Sequence, residues 1–257
     1  MSSEDAREPT LHTSEAKCDS VRFKEKEFVA FLTKHDRRDV PGTGIAKLVG
    51  QLIPQSLRHP ARVIATIALS PFERLKARRY AANSPSKLNL GCGSLPLPGW
   101  VNVDLIGLPV DVRWDICRPL PFDDNSMDMV FHEHVQEHVD SFHGFLLDKE
   151  CFRVLKPGGI CRIVMPDASK YIRSYLDPEH AFIKEWRGMQ FMPMMSLVEE
   201  FYGFNHRAIY DYETLALYLR LAGFSHVESS QFGRSRIDPC PDSEWRIKDS
   251  FYAEAIK

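Results

Sequence analysis

The stretch Lys87-Leu88-Asn89-Leu90-Gly91-Cys92-Gly93 decides how the rest of the chain is interpreted. Its apolar alternation predicts a buried strand, and the glycines that follow predict a tight turn where backbone can approach a ligand closely. The segment from Trp100 to Leu105 predicts a second strand, which ends in the carboxylate of Asp104. Parallel α/β sheets hold a nucleoside in this way, because the turn admits the ligand and the acid accepts hydrogen bonds from ribose hydroxyls.

The glycine turn departs from the two common nucleotide-binding patterns. A dinucleotide fingerprint needs a third glycine, whereas Pro96 stands there and has no backbone N–H for a pyrophosphate. The acid follows Gly91 by 13 residues, where the fingerprint expects about 20. The phosphate-binding pattern Gly-x-x-x-x-Gly-Lys-Ser/Thr is absent from the sequence. A nicotinamide-dependent oxidoreductase therefore stays only as an alternative.

Composition favours an ordinary globular protein of 257 residues, with 44% hydrophobic and 26% charged residues. A formal net charge of -2 gives no electrostatic argument for a nucleic-acid partner. The six cysteines form no Cys-x-x-Cys pair, which favours reduced thiols. The longest apolar run, from Val63 to Leu69, is far shorter than the roughly 20 residues of a membrane span. We therefore expect a cytoplasmic protein.

The first third of the chain is predicted to be an extension to the main domain. Residues 1–20 are polar and predict a disordered tail, and residues 21–86 predict a helical extension. The motif Ser70-Pro71-Phe72-Glu73 predicts a helix start, with Ser70 as N-cap and a helix that runs to about Ala82. Residues 58–80 carry an excess of positive charge. We favour a solvated helical face that covers the sheet over peripheral membrane contact.

From Lys87 onward, predicted strands alternate with helices. The segment Asp111–Ile116 predicts a short third strand whose last residue is Asp115, and Met129–His132 predicts a fourth strand. A helix is predicted over His143–Leu155, stopped by Lys156–Gly159, and a fifth strand over Ile160–Met165. Such alternation predicts an α/β domain with a doubly wound, mostly parallel sheet over residues 87–257.

Several of these segments together resemble the class I S-adenosylmethionine-dependent methyltransferases. The resemblance is to the branch in which Leu-Asn-Leu-Gly-Cys-Gly is followed by Gly-Trp-x-Asn-x-Asp, and it covers most of residues 87–257. Its later motifs match Leu120–Asp128, His134–His138, Arg153–Gly159, Tyr212–Leu215 and Leu221–Phe224. The resemblance implies a seven-stranded Rossmann-like methyltransferase fold, closed by an antiparallel strand at Ser250–Ile256.

The resemblance implies S-adenosylmethionine as the cofactor. Gly91 and Gly93 would lie against its methionine and ribose parts, Asp104 would hold the ribose hydroxyls, and Asp115 would accept from the adenine amino group. The full set of implied cofactor-binding residues is Asn89, Gly91, Cys92, Gly93, Asp104, Leu105, Asp115, Ile116 and His132.

The cluster from His132 to His138 also invites a metal interpretation. His134 to His138 satisfies His-x-x-Glu-His, an inverted zinc-protease motif. A catalytic zinc needs a third protein ligand, and that peptidase class needs a different fold. His134, Glu137 and His138 match the pattern of the methyltransferase branch, so we predict no metal and place His134 near the methyl group.

We predict a methyltransferase that acts on an oxygen or nitrogen of a small molecule or glycan precursor. His134 and His206 are the candidate general bases, since histidine is suited to that role near neutral pH. Residues 168–208 are rich in methionine and aromatic residues and are a candidate substrate lid. The alternative is a catalytically silent protein that binds the cofactor and regulates a partner. The sequence leaves the oligomeric state open.

Overall fold

The computed structural model describes residues 55–82, 86–105, 109–187 and 193–257. The described residues form six α-helices: α1 Gln55–Ala81, α2 Ser141–Val154, α3 Ala168–Leu176, α4 Ala181–Arg187, α5 Pro193–Val198 and α6 Tyr212–Ala222. Seven strands are β1 Lys87–Leu90, β2 Val101–Asp104, β3 Val112–Arg113, β4 Met127–Glu133, β5 Leu155–Pro166, β6 His226–Ser230 and β7 Ser250–Ile256. Short turns of 3₁₀ helix at Gln136–His138 and Glu244–Arg246 and of π-helix at Glu199–Gly203 complete the described elements.

The seven strands form one sheet in the order β3-β2-β1-β4-β5-β7-β6. Neighbours from β3 to β5 pair in parallel, and β7 runs antiparallel to both β5 and β6. The predicted α/β fold, a doubly wound and mostly parallel sheet of the Rossmann-like methyltransferase type, is confirmed. The carboxyl ends of β1, β2 and β4 meet at one edge, which is where such sheets bind ligands.

The main hydrophobic core lies between the sheet and the helices α2 and α6. Leu88 and Leu90 of β1 join Leu147 of α2 and Leu219 of α6 in this core, all almost fully buried. Asp140 caps α2 by accepting the His143 backbone N–H, which satisfies one of the free donors at a helix start. These contacts fix the sheet edge that carries the candidate site.

A buried ion pair joins the other face of the sheet to the loop after β6. Arg162 of β5 is fully buried and donates to Asp242 through Nε at 3.0 Å and Nη2 at 2.6 Å. Nη2 also donates to the carbonyl of Gln231 at 3.0 Å. Because the two charges neutralise each other out of water, each depends on its partner being present.

The predicted helix start at Ser70 is wrong, because α1 runs without a break through Pro60 and Pro71. A proline inside a helix deprives one carbonyl of its donor, but Pro71 is exposed, so water can reach that carbonyl. Glu73, predicted to complete the cap, is instead buried and accepts the Arg113 backbone N–H at 3.1 Å. This bond holds α1 against β3 at the edge of the sheet.

Other predicted element boundaries differ from the observed ones by a few residues. The third strand ends at Arg113, so Asp115 lies in the loop beyond it. The strand predicted at Ile160–Met165 begins earlier, at Leu155, which pairs with Met127 before an irregularity in the register at Lys156–Gly159. The predicted tail and the extension as far as residue 54 lie outside the described residues.

Two coarse predictions can be compared with the described residues. Their five cysteines, Cys92, Cys117, Cys151, Cys161 and Cys240, are all free thiols, as predicted. No helix in the described ranges combines the length and hydrophobicity that a bilayer crossing requires.

Candidate active site

The glycine turn after β1 is held by backbone hydrogen bonds to β2. Gly91 has a φ of +65° and donates its N–H to the carbonyl of Val103 at 2.8 Å. An added Cβ at Gly91 would lie 2.3 Å from Cγ2 of Val135, so only glycine fits. Gly93 has a φ of +55°, and an added Cβ there would meet nothing within 4 Å. The turn therefore leaves open space on one side, where a ligand can lie against the backbone.

Asp104 closes the turn from the end of β2. Its Oδ2 accepts the Gly93 backbone N–H at 2.8 Å, and its own carbonyl accepts the Trp114 N–H at 3.0 Å. Asp115 therefore lies at the same edge as Asp104, and its Oδ1 accepts the Cys117 N–H at 3.0 Å. The turn and two carboxylates come together as a nucleoside site requires.

The remaining predicted cofactor residues lie deeper or to the side. Leu105 and Ile116 are half-buried, and Ile116 packs against the main core. Asn89 is only 4% exposed and donates its amide to Oδ1 of Asn102 at 2.9 Å. Burial raises the pKa of Cys92 to about 12, so this residue is a thiol at neutral pH. Asn89 and Cys92 thus support the turn from below.

His132 faces the core instead of the predicted cofactor cleft. It is fully buried, and neither ring nitrogen has a hydrogen-bond partner within the described part of the chain. Its nearest metal-ligating neighbours are the buried thiols of Cys151 and Cys161. The physical reason is the alternation of β4, which turns His132 to the same side as the core residue Val130.

The buried imidazole of His132 makes stability depend on pH. Burial lowers its pKa from 6.5 to about 4, whereas the unfolded chain takes up this proton below about pH 6.5. The unfolded state binds more protons between these values, so the free energy of unfolding should fall by about 3 kcal/mol from pH 6.5 to pH 4. Urea unfolding over this range should show a shallower fall in His132→Leu. The exposed control His226→Leu should keep the wild-type slope, and an equal slope in both variants would contradict the assignment.

His134 lies directly after β4, next to the start of β7. It has a φ of +52°, and its Nε2 is 2.7 Å from Oγ of Ser250. Burial, with a smaller effect of the positive charge of Arg246, lowers the pKa of His134 to about 2. The ring is therefore neutral at physiological pH and is suited to hydrogen bonding more than to accepting a proton.

His206 is brought to the same edge by the loop before α6. The backbone N–H groups of Arg207 and Ala208 donate to the carbonyl of Glu137 at 2.7 and 3.2 Å. As a result, the rings of His206 and His138 stand 5.0 Å apart between centroids. Nδ1 of His206 is 3.7 Å from Oε1 of Glu200, and both side chains are almost completely buried.

Sequence reasoning missed the acidic surroundings of these histidines. Both carboxylate oxygens of Glu137 lack a hydrogen-bond partner among the described residues. Burial raises the pKa of Glu137 to about 8. Glu200 lies in the π-helical turn, an irregularity that is common at functional sites. No local pattern marks Glu200, because its importance depends on contact with a residue in another turn.

The Met-rich aromatic stretch forms α3, α4, α5 and the π-helical turn. Part of it is core, since Tyr171 is fully buried and its hydroxyl accepts the indole N–H of Trp186 at 3.0 Å. Tyr202 in the π-helical turn is 75% exposed. Phe191 and Met192 lie outside the described residues. The substrate lid at residues 168–208 stays a prediction.

Residues 102–163 match the family model of a methyltransferase domain. This segment of the chain is therefore similar to a methyltransferase domain. The matched segment begins beyond the glycine turn and contains Asp104, Asp115, His132 and His134. None of the curated proteins compared with the chain matches it.

Solved structures of similar fold include several methyltransferases. A S-adenosylmethionine-dependent methyltransferase of Archaeoglobus fulgidus is 19% identical, with 76% of this chain and 94% of that chain covered and a TM-score of 0.43. A S-adenosylmethionine-dependent methyltransferase of Thermotoga maritima is 18% identical, with 78% of this chain and 96% of that chain covered and a TM-score of 0.42. Phosphoethanolamine N-methyltransferase 2 of Haemonchus contortus, in complex with S-adenosylmethionine, is 16% identical. The match covers 72% of this chain and 52% of that chain, with a TM-score of 0.41.

The methyltransferase domain confirms the predicted class of enzyme, with S-adenosylmethionine as its cofactor. The glycine turn fits such a group, because Gly93 faces open space and Asp104 lies beside it. The particular motif branch and the role of each site residue stay predictions.

Proposed function

We propose that this enzyme transfers the methyl group of S-adenosylmethionine to an oxygen or nitrogen of a small molecule or glycan precursor, in the cytoplasm. The observation that carries the proposal is the convergence of the glycine turn, Asp104, His134 and His206 at one edge of the sheet. The donor side is formed by β1 and β2, and the acceptor side by the residues that follow β4.

The donor side supports a cofactor that presents a methyl group on a positively charged sulfur. In this proposal Gly91 and Gly93 let the backbone lie along the cofactor, Asp104 accepts from the ribose hydroxyls, and Asp115 accepts from adenine. The donor is already activated by its charge, so the protein mainly positions the reactants and excludes water.

The acceptor side supports a role for His206 in activating the nucleophile. His134 has a pKa far below neutrality, and its Nε2 is hydrogen-bonded to Oγ of Ser250. In this proposal His134 orients the acceptor by hydrogen bonding. His206 stands beside Glu200, with Nδ1 3.7 Å from Oε1, so in this proposal the carboxyl group orients the ring toward the acceptor. Activation of the acceptor is therefore assigned to His206.

Isothermal titration calorimetry with S-adenosylhomocysteine tests the donor side. Asp104→Ala should weaken binding by about 10- to 100-fold, since charged hydrogen bonds contribute about 1.5–3 kcal/mol. Asp104→Asn should lose less, because its amide oxygen can still accept the Gly93 N–H. The control Asp123→Asn, which changes an exposed acid away from the turn, should bind like the wild type.

NAD serves as the competing ligand in the same titration. Binding of NAD in preference to S-adenosylhomocysteine would contradict the proposal and favour an oxidoreductase. A screen of hydroxylated and amine acceptors with labelled S-adenosylmethionine then tests turnover. Binding of the cofactor without transfer to any acceptor would favour the silent regulatory role.

A further inference from the structure

Glu137, His138 and His206 form a compact trio of metal-ligating groups next to the acceptor side. One ligand atom from each lies within 4.8 Å of the other two. The three come from two distant segments, joined by the hydrogen bonds from Arg207 and Ala208 to the carbonyl of Glu137. The trio differs from the zinc motif at His134–His138, because Glu137 and His206 join His138 in place of His134.

The buried side chain of Glu137 is the observation that indicates a bound ligand. Glu137 is 1% exposed, and neither oxygen has a hydrogen-bond partner in the described ranges. The ring nitrogens beside Oε1 are Nδ1 of His134 at 3.5 Å and Nε2 of His138 at 4.0 Å. A buried carboxyl group without hydrogen bonds is unfavourable, and a bound cation would offset that cost.

The charges around Glu137 also favour a divalent cation. Glu200 and Asp249 are acidic neighbours that disfavour the ionised form of Glu137, and Arg246 favours it. A divalent ion would stabilise ionised Glu137 in this mostly buried, acidic surrounding.

We infer that Glu137, His138 and His206 bind a zinc ion. Two imidazoles and one carboxylate are an established ligand set for zinc sites that keep a position open for water or substrate. Tetrahedral ligands at about 2.1 Å from zinc stand about 3.4 Å apart, so the trio needs to close by about 1.4 Å at most. The side chain of His138 is 43% exposed, which leaves the ion accessible from solvent.

The position of the ion would narrow the class of acceptor, and this step rests on the proposed function. A hydroxyl bound to zinc loses its proton to solvent near neutral pH. Its oxygen then bonds to the methyl carbon while the carbon–sulfur bond breaks and its electron pair stays on sulfur. His206 would then activate the acceptor as a ligand of the metal instead of accepting the proton itself. The acceptor would accordingly be an alcohol or phenol.

Metal binding by the purified full chain tests the inference without any measurement of methyl transfer. After loading with zinc and dialysis, the wild type should retain one equivalent. His206→Ala and His138→Ala should each retain less than a fifth of that. Glu137→Gln should bind at least tenfold more weakly, and this variant keeps the shape of the side chain and removes a buried charge, so its fold is expected to persist.

Two controls separate this trio from the buried cluster of His132, Cys151 and Cys161. Cys151→Ser and the exposed variant His226→Ala should both keep the full equivalent. Cobalt in place of zinc should give the visible spectrum of a four-coordinate ion without a thiolate charge-transfer band. Absence of stoichiometric binding, retention of metal in His206→Ala, or a thiolate band would overturn the inference. Because binding is measured without turnover, a failed methyltransferase assay would leave this result intact.

Discussion

Gly91→Ala is expected to lower the free energy of unfolding by about 3–4 kcal/mol. Two effects add at this position. A non-glycine residue at a φ of +65° is strained, and the new Cβ would lie 2.3 Å from one methyl of Val135 and 2.9 Å from the other. Val135 is buried and β-branched, so it can move little. Urea unfolding measures the loss, and cofactor titration should show weakened binding because the turn is displaced.

Gly158→Ala is the matched control for the clash at Gly91. Gly158 has a φ of +78°, but an added Cβ there meets nothing within 4 Å. Gly158→Ala should lower the free energy of unfolding only by the backbone strain, about 1–2 kcal/mol. Gly91→Ala combined with Val135→Ala should be more stable than the sum of the two single losses predicts. Equal losses in Gly91→Ala and Gly158→Ala would show that contact with Val135 is not the cause.

Asp242→Ala is expected to destabilise the fold by about 3–5 kcal/mol, because it leaves the guanidinium of Arg162 buried without its counter-charge. Arg162 is fully buried, and its side chain also lies over the ring of Tyr252 at 5.2 Å. Thermal and urea unfolding of the variant measure the effect.

The double variant Arg162→Met, Asp242→Ala should recover much of this loss, since an apolar side chain tolerates the buried position. The exposed pair Lys248 and Glu185, 3.1 Å apart, is the comparison. Glu185→Ala should change stability by less than about 1 kcal/mol, because solvent screens that pair. A loss of that small size in Asp242→Ala would contradict the role given to the buried pair.

The parts of the fold that depend on local signals could be predicted from the sequence. The alternation from Lys87 to Leu90 and the following glycines placed β1 and its turn correctly, because periodicity and positive φ are properties of neighbouring residues. The closing strand Ser250–Ile256 has the predicted bounds, although it came from the resemblance and not from the pattern.

The parts that depend on distant contacts could not be predicted. Ser70 and Pro71 carry the local features of a helix start, but the helix runs through them and Glu73 bonds to β3 instead of capping it. The sequence analysis assigned His132 to the cofactor and His134 to the region near the methyl group. The pleat of β4 sends His132 into the core, and the left-handed backbone at His134 turns it toward β7. The pairing of His206 with Glu200 and the neighbourhood of Glu137 arise only after the chain folds.

The contact between Val135 and Gly91 has a consequence for how the two halves of the reaction communicate. Val135 contacts Gly91 in the glycine turn and immediately precedes the 3₁₀ turn Gln136–His138. Backbone hydrogen bonds join this 3₁₀ turn to the loop that carries His206. A shift of this valine on cofactor entry would therefore reach the residues that meet the acceptor. Thermodynamic linkage makes such an effect reciprocal, so an acceptor that tightens cofactor binding is itself bound more tightly by the same factor.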